Sequence, residues 1–314
     1  MNQHVSADWV PARDATPWIE TFIVEPPGLG VALRVSIARP VKPMISQQPD
    51  GLNAVLYVTD ADYLFGTVVD AARVGSFGGD LAPAVIVGIG YAEETGDLRF
   101  VSQRRFLDFY RGPRRSFDAG AYGSFEFGGA DAFLAALRDC VMAKVEQHVP
   151  DIDPARRVLL GTSAGGHFAA YVLAQDPGLF QGYALMSPML IDPQSPVDGA
   201  LVRLPGDGAM VHLIEDLPDG AIPSGLRVFL SAGEREEDPA TMFADFSIIS
   251  NALRMRTALA RHGVRTEFVQ FAGETHGSVT GAAISRALRF LVPPVNAKPD
   301  WQAALAATDD AASQ

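Results

Sequence analysis

Short runs of apolar residues alternate along the chain with longer segments in which apolar residues recur every three or four positions. The short runs are typical of strands buried in a parallel sheet, and the longer pattern is typical of helices that cover such a sheet. The short runs predict strands at residues 54–59, 84–90, 158–160, 182–186, 226–231 and 266–271. The longer pattern predicts helices at residues 131–147, 242–262 and 278–292.

Two β-rich segments come before these elements. Residues 21–24 and 31–38 flank a turn-forming Glu-Pro-Pro-Gly sequence, which predicts an antiparallel hairpin. The alternation that follows predicts an α/β fold with a mostly parallel central sheet and helices on both faces. Residues 93–128 and 190–224 do not follow the alternation, and we expect loop insertions there.

The length suits one large α/β domain or two small ones, and no change of composition along the chain calls for a second domain. The chain has 314 residues, of which 48% are hydrophobic, and it has a single cysteine. That length can bury a sizeable core, and a lone cysteine rules out an internal disulfide. We expect residues 1–294 to form a single domain and residues 295–314 to form a weakly ordered tail.

The net charge argues against some classes of binding partner. The chain carries 25 Lys and Arg against 37 Asp and Glu, which gives a net charge of −12. Such a surface repels nucleic acid and anionic lipid, so neither is expected as a partner. No apolar stretch reaches the roughly 18–20 residues that a membrane helix needs. The polar N-terminus shows no secretory pattern, so we expect a cytoplasmic enzyme.

The clearest candidate for chemistry is a G-x-S-x-G sequence centred on Ser163, between a predicted strand and a predicted helix. The backbone of a serine at such a sharp turn is crowded, and the small residues Gly161 and Gly165 relieve the crowding. The start of the following helix favours developing negative charge. The backbone N–H of Ala164 would donate to an oxyanion there. Ser163 is therefore the predicted nucleophile.

A serine hydroxyl needs a base to remove its proton, and six histidines are available. His276 follows the last predicted strand, so it lies where the order nucleophile, acid, histidine of the hydrolases requires the base. We therefore prefer His276. His212 lies in the irregular segment before residue 224 and stays open. The other histidines lie at the N-terminus, within a helix or at helix ends: His4, His148, His167 and His262.

The third catalytic residue is expected after the strand at residues 226–231. An acid there would orient the imidazole and stabilise its protonated form. Four carboxylates compete in this stretch, and most members of such a cluster are expected to be solvated. They are Glu234, Glu236, Glu237 and Asp238. We choose Glu236, with Asp238 as the second candidate.

Further motifs are spread over the chain. They are residues 55–62, 87–91, 104–109, 128–134, 187–188 and 276–278. With the Ser163 turn, they make the chain from about residue 31 to 291 resemble the putative esterase family of α/β-hydrolases. This family includes esterase D-like enzymes and the enterobactin (trilactone) esterases. It often ends the first of these motifs with Asp-Gly-Asn, where this chain has Asp60, Ala61 and Asp62.

The resemblance implies roles for further residues. The loop after Thr59 would supply the second oxyanion N–H, from Asp60 or Ala61. Arg105 matches an arginine that siderophore esterases place near the substrate, where a guanidinium suits paired oxygens. The alternative for Arg105 is an ion pair with Asp108 or another loop carboxylate. Four more arginines would either join it in a cationic mouth or form a solvated loop: Arg104, Arg111, Arg114 and Arg115.

The sequence therefore predicts a serine carboxylic-ester hydrolase that forms an acyl-enzyme on a small-molecule ester. The resemblance implies a siderophore ester, and a short-chain ester is the simpler alternative. An acyltransferase or peptidase shares this chemistry, and a catalytically inactive binding module shares the fold, so both stay open. No metal or other cofactor is predicted, because zinc-binding and phosphate-loop motifs are missing from the sequence.

Overall fold

Ten strands and eight α-helices lie in the part of the chain that this computed structural model describes, residues 16–41, 53–93, 98–118, 124–192, 208–241 and 243–294. The strands are β1 (Ile19–Val24), β2 (Leu33–Ala38), β3 (Asn53–Val58), β4 (Ala84–Tyr91), β5 (Arg115–Asp118), β6 (Ser124–Phe127), β7 (Ile152–Thr162), β8 (Gly182–Met186), β9 (Arg227–Gly233) and β10 (Arg265–Phe271). The helices are α1 (Ala61–Gly78), α2 (Leu98–Phe109), α3 (Ala130–Ala135), α4 (Ala143–His148), α5 (Ala164–Gln175), α6 (Ala209–Glu215), α7 (Ile248–Arg261) and α8 (Val279–Leu291).

Eight of the strands form one sheet in the order β1-β2-β4-β3-β7-β8-β9-β10. Strand β2 pairs antiparallel with both β1 and β4. Every other neighbouring pair in this sheet is parallel. The predicted hairpin and mostly parallel sheet are thus confirmed. Strands β5 and β6 form a separate antiparallel pair.

Both faces of the sheet are covered. Side chains of β3 alternate between two apolar clusters, with Val55 and Tyr57 on one face and Leu56 and Val58 on the other. Helices α1 and α8 pack together on the second face, and α2, α5, α6 and α7 cover the first. Burial on two faces explains why these strands are continuously apolar in sequence.

Two predicted helices differ in detail from the structure. The helix predicted at residues 242–262 begins only at Ile248, because Ser247 adopts a left-handed backbone with φ 47°. A short 3-10 turn, Ala244–Phe246, precedes that break. The helix predicted at residues 131–147 is present, but its central part, Ala136–Met142, is a π-helix. Hydrophobic spacing does not reveal such local changes of backbone.

The first predicted loop insertion, residues 93–128, contains helix α2 and the β5–β6 hairpin within its described part. The tail at residues 295–314 and residues 193–207 of the second insertion lie outside the described residues. The assignment of residues 1–294 to one domain stays a prediction. In the described ranges, no helix has the length and apolar character needed to cross a bilayer.

Candidate active site

Ser163 occupies a strained turn between β7 and α5. Its backbone has φ 55° and ψ −116°, a conformation that costs on the order of 1–3 kcal/mol for a non-glycine residue. A Cβ at Gly161 would collide with the carbonyl of Gly165, and a Cβ at Gly165 would collide with the carboxylate of Asp60. The two glycines of the motif are therefore required by close backbone packing around the serine.

The hydroxyl of Ser163 is in contact with His276. Its Oγ lies 3.0 Å from His276 Nε2, and His276 Nδ1 lies 2.5 Å from Oε1 of Glu236. His276 follows β10 and Glu236 follows β9, and these strands run parallel to β7 in the same sheet. The carboxyl ends of parallel strands lie at one edge of the sheet. The topology therefore brings His276 into hydrogen-bond contact with Glu236, 40 residues before it, and with Ser163, 113 residues before it.

Glu236 is the one of the four competing carboxylates that reaches His276. It is 1% exposed, and its second oxygen accepts hydrogen bonds from the backbone N–H of Gly233 at 2.8 Å and from the hydroxyl of Ser187 at 3.2 Å. The other three cap nearby backbone N–H groups, with Glu234 on Gly273, Glu237 on Ser250 and Asp238 on Ala240. Burial and hydrogen bonding distinguish Glu236 from its neighbours.

The remaining described histidines are held elsewhere. His167 is fully buried and donates from Nδ1 to the carbonyl of Met189 at 2.8 Å, and burial lowers its pKa to about 4. His212 lies on α6, 3.0 Å from Glu215. His148 contacts Glu20 and His262 contacts the carbonyl of Ile214. His4 lies outside the described residues.

The starts of two helices meet beside Ser163. Ala164 is the first residue of α5 and Ala61 is the first residue of α1. Strands β3 and β7 are paired, and the N–H of Thr59 donates to the carbonyl of Leu160 at 3.0 Å, so both helices begin at the same edge of the sheet. The first N–H groups of a helix have no acceptor within it. The roles of Ala164, Ala61 and Asp60 at an oxyanion stay predictions.

Arg105 is held by Asp60. Its guanidinium donates to the fully buried carboxylate of Asp60 and, at 3.4 Å, to the carbonyl of Thr162, the residue before the serine. Burial raises the pKa of Asp60, and Arg105 opposes that rise. This geometry favours an ion pair with a loop carboxylate, and the role of Arg105 in substrate binding stays a prediction.

The other arginines of the predicted cationic mouth are also engaged. Three of them pair with carboxylates: Arg104 with Asp108, Arg111 with Asp192 and Arg114 with Glu126, each at 2.9 Å. The guanidinium of Arg115 lies 5.9 Å from the ring centre of Phe127. Within the part of the chain that the structure describes, these arginines therefore do not form a mouth of free cations, because acids from other positions in the sequence pair with three of them.

One neighbour of the histidine gives no signal in the sequence. The ring of Phe243 stacks on His276, with the ring centres 3.9 Å apart and the planes 25° from parallel. Phe243 precedes the 3-10 turn Ala244–Phe246, in the segment where spacing predicted a regular helix. Hydrophobic spacing gives no means to tell such a residue from one that packs in the core.

The comparisons with known proteins agree with this architecture. Ferri-bacillibactin esterase BesA of Bacillus subtilis is 32% identical over 265 residues, which cover 81% of this chain and 83% of that protein. A siderophore enterobactin esterase of Emericella nidulans is 28% identical over 271 residues, covering 76% and 82%. The solved structure of siderophore hydrolase EstA from Aspergillus nidulans superimposes with a TM-score of 0.72 at 22% identity, covering 91% of this chain and 98% of that one.

The sheet order, the covering helices and the serine turn define a protein of the α/β-hydrolase class. Residues 46–279 match the family described as Putative esterase. The chain belongs to this family, and it is a carboxylic-ester hydrolase.

Proposed function

We propose that this protein hydrolyses siderophore esters through an acyl-enzyme on Ser163. The observation that carries the proposal is the chain of contacts from Ser163 Oγ to His276 Nε2 at 3.0 Å and from His276 Nδ1 to Glu236 at 2.5 Å. This arrangement supplies a nucleophile, a base and a group that orients the base.

In the first half-reaction, His276 accepts the proton of Ser163 at Nε2 as Oγ attacks the ester carbonyl. Glu236 receives the Nδ1 hydrogen bond and stabilises the imidazolium that forms. The negative oxygen of the tetrahedral intermediate takes hydrogen bonds from Ala164 N–H and from the N–H of Asp60 or Ala61. The intermediate then loses the alcohol, which leaves with the proton from His276, and the acyl group stays on Ser163.

In the second half-reaction, water replaces the alcohol. His276 takes a proton from water, and the hydroxide adds to the acyl carbon. The intermediate collapses with release of the carboxylic acid, and Oγ of Ser163 regains its proton from His276. Each cycle thus consumes one ester and one water and returns the three side chains to their first state.

The substrate class is supported by the relatives. One is called a ferri-bacillibactin esterase, one a siderophore enterobactin esterase and a third, matching 43% of this chain, a siderophore triacetylfusarinine C esterase. The names of these proteins describe esterases that act on siderophores. We infer the same general class of substrate for this chain, a siderophore ester.

The serine mechanism is tested by substitution and by labelling. Ser163→Ala and His276→Ala should each lower kcat on p-nitrophenyl butyrate by at least about 10³-fold. His212→Ala serves as the matched control, because this exposed histidine lies on another helix, and it should keep kcat within twofold. A fluorophosphonate probe should add its mass to the wild type and not to Ser163→Ala. Wild-type activity in Ser163→Ala would exclude the mechanism.

The substrate is tested by comparing kcat/KM on ferric bacillibactin and ferric triacetylfusarinine C with that on p-nitrophenyl acetate and butyrate. Preference for either ferric siderophore supports the proposal. Preference for the simple esters by a wide margin contradicts it. An added alcohol acceptor should not divert product from hydrolysis, and a transfer product that grows at the expense of acid would identify an acyltransferase instead.

We also propose that the protein works in the cytoplasm. The single cysteine means that the fold does not depend on internal disulfides, which is the usual state of proteins in a reducing compartment. Cell fractionation tests this location, and recovery of the protein mainly outside the cytoplasm would contradict it.

A further inference from the structure

Strained backbone marks three neighbouring strand ends. Among the described residues, the non-glycine positions with positive φ are Asp60, Ser163, Ser187 and Ser247. Asp60, Ser163 and Ser187 follow β3, β7 and β8, which lie side by side in the sheet. Such conformations persist where the surroundings enforce them, often at active sites. Asp60 and Ser163 belong to the proposed machinery, whereas the mechanism above leaves Ser187 without a role.

The side chain of Ser187 is bonded to the acid of the catalytic chain. Its hydroxyl donates to Oε2 of Glu236 at 3.2 Å, and both residues are buried, at 0% and 1% exposure. The N–H of Gly233 donates to the same oxygen at 2.8 Å, while His276 binds the other oxygen. Two donors on Oε2 fix the plane of the carboxylate, so that Oε1 faces the imidazole.

The backbone around Ser187 is bonded to the nucleophile. The carbonyl of Met186 accepts from the N–H of Ser163 at 3.0 Å, and the N–H of Met189 donates to the carbonyl of Ser163 at 3.1 Å. The N–H of Ser187 itself donates to the carbonyl of Ser231 on β9 at 2.9 Å. One short segment therefore holds the serine turn with its backbone and the acid with its side chain.

We propose that Ser187 is a positioning residue of the hydrolysis, which keeps the Glu236 carboxylate aligned with His276 through its hydroxyl. The proposal rests on the proposed function, since it assigns Ser187 an effect on catalysis through Glu236. A left-handed backbone at this point turns the side chain off the strand direction and toward β9. Glycine would adopt that backbone more easily, but it could not donate the hydrogen bond.

The test compares Ser187→Ala with Ser231→Ala on p-nitrophenyl butyrate. Ser231 is the matched control, because it is equally buried on the adjacent strand and its hydroxyl has no hydrogen-bond partner among the described residues. Ser187→Ala should lower kcat about tenfold, the size expected for losing a hydrogen bond to a charged group, and leave KM within twofold. Ser231→Ala should keep both constants within twofold. If Ser187→Ala does not fold, Ser187→Gly takes its place in the test, because glycine relieves the backbone strain at this position.

Repeating the Ser187→Ala substitution in a Glu236→Ala variant separates the proposed positioning role from a purely structural role. In Glu236→Ala there is no carboxylate to align, so adding Ser187→Ala should lower kcat less than twofold further. Ser187→Cys, which keeps a weak donor, should recover part of the loss. Either an equal tenfold loss in the Glu236→Ala background or a wild-type kcat for Ser187→Ala overturns the proposal. An inactive Ser163→Ala beside a fully active Ser187→Ala would refute only this inference, whereas an active Ser163→Ala would refute the proposed function as well.

Discussion

Replacing Arg105 by methionine should destabilise the protein, because it leaves the carboxylate of Asp60 buried without its cation. The side chains of Arg105 and Asp60 are 14% and 0% exposed. Removing one partner of a buried ion pair typically costs about 3–5 kcal/mol. With an unfolding entropy of about 2.1 cal/mol/K per residue, that loss lowers the melting temperature of a chain of this length by about 5–8 °C. Differential scanning calorimetry measures it directly.

The loss of stability that Arg105→Met causes should also depend on pH. Burial already raises the pKa of Asp60, and Arg105 opposes the rise, so the substitution raises that pKa further. A carboxyl whose pKa is raised on folding binds its proton more tightly in the native state, and the free energy of unfolding then falls as pH rises above the unfolded pKa of about 3.9. The melting temperature of Arg105→Met should therefore lie further below the wild-type value at pH 8 than at pH 5.

A double variant removes both charges. Asp60→Asn combined with Arg105→Met leaves no unpaired ion, and asparagine tolerates the left-handed backbone at position 60, where φ is 61°. It should recover at least half of the lost melting temperature. A wild-type melting temperature for Arg105→Met, or a double variant no more stable than the single one, would refute the reasoning. If instead Arg105 binds substrate, stability stays unchanged and KM for an anionic ferric siderophore rises.

Three further outcomes are expected. Gly165→Ala should lose about 1–3 kcal/mol of stability in urea titrations, and most of the ester hydrolysis, because the new Cβ would collide with the carboxylate of Asp60. Phe243→Ala removes the ring stacked on His276, and steady-state kinetics should show kcat lowered about two- to tenfold. Burial raises the pKa of Asp108 to about 6, so its contribution to stability is lost as pH rises through that value, and Asp108→Asn should flatten the melting temperature over pH 4–7.

The central sheet could be predicted because its strands are buried on both faces. Strand β8 has the bounds that the sequence predicts, and most of the others differ by one or two residues. Strand β7 is the exception. It starts at Ile152, whereas apolar spacing predicts a start only at residue 158, because the first half of the strand is polar and half-exposed. Apolar patterning detects the part of a strand that contacts helices and misses the part that reaches beyond them.

The apolar pattern of the sequence does not predict helix α2, for a different physical reason. It carries Arg104, Arg105 and Asp108 on surfaces that are mostly buried, and these charges pair with each other or with Asp60. A charged residue in sequence suggests a solvated face, and nothing local shows that its partner lies 45 residues away. The same reason explains why the sequence suggests free cations at Arg111 and its basic neighbours, since Asp192, the acid that binds Arg111, lies 81 residues further along the chain.

The serine and the histidine could be placed from chain order, because parallel strands bring their carboxyl ends to one edge. The acid could not be singled out that way, since four carboxylates share one turn, and only burial and hydrogen bonding in the folded chain separate Glu236 from the rest. The residues that shape the site further, Ser187 and Phe243, have no motif. Their contacts depend on backbone angles and on packing between elements, which sequence spacing does not specify.

Left-handed backbone at a strand end is informative here because the residue is not glycine. Glycine would remove a strain of about 1–3 kcal/mol at each such position, yet Asp60, Ser163 and Ser187 retain side chains there. Each of those side chains is bonded to a partner in or beside the site: Asp60 to Arg105, Ser163 to His276 and Ser187 to Glu236. The strain is therefore offset by a contact that only a side chain can make, and the three contacts together fix the groups proposed to attack, to accept the proton and to bind the oxyanion.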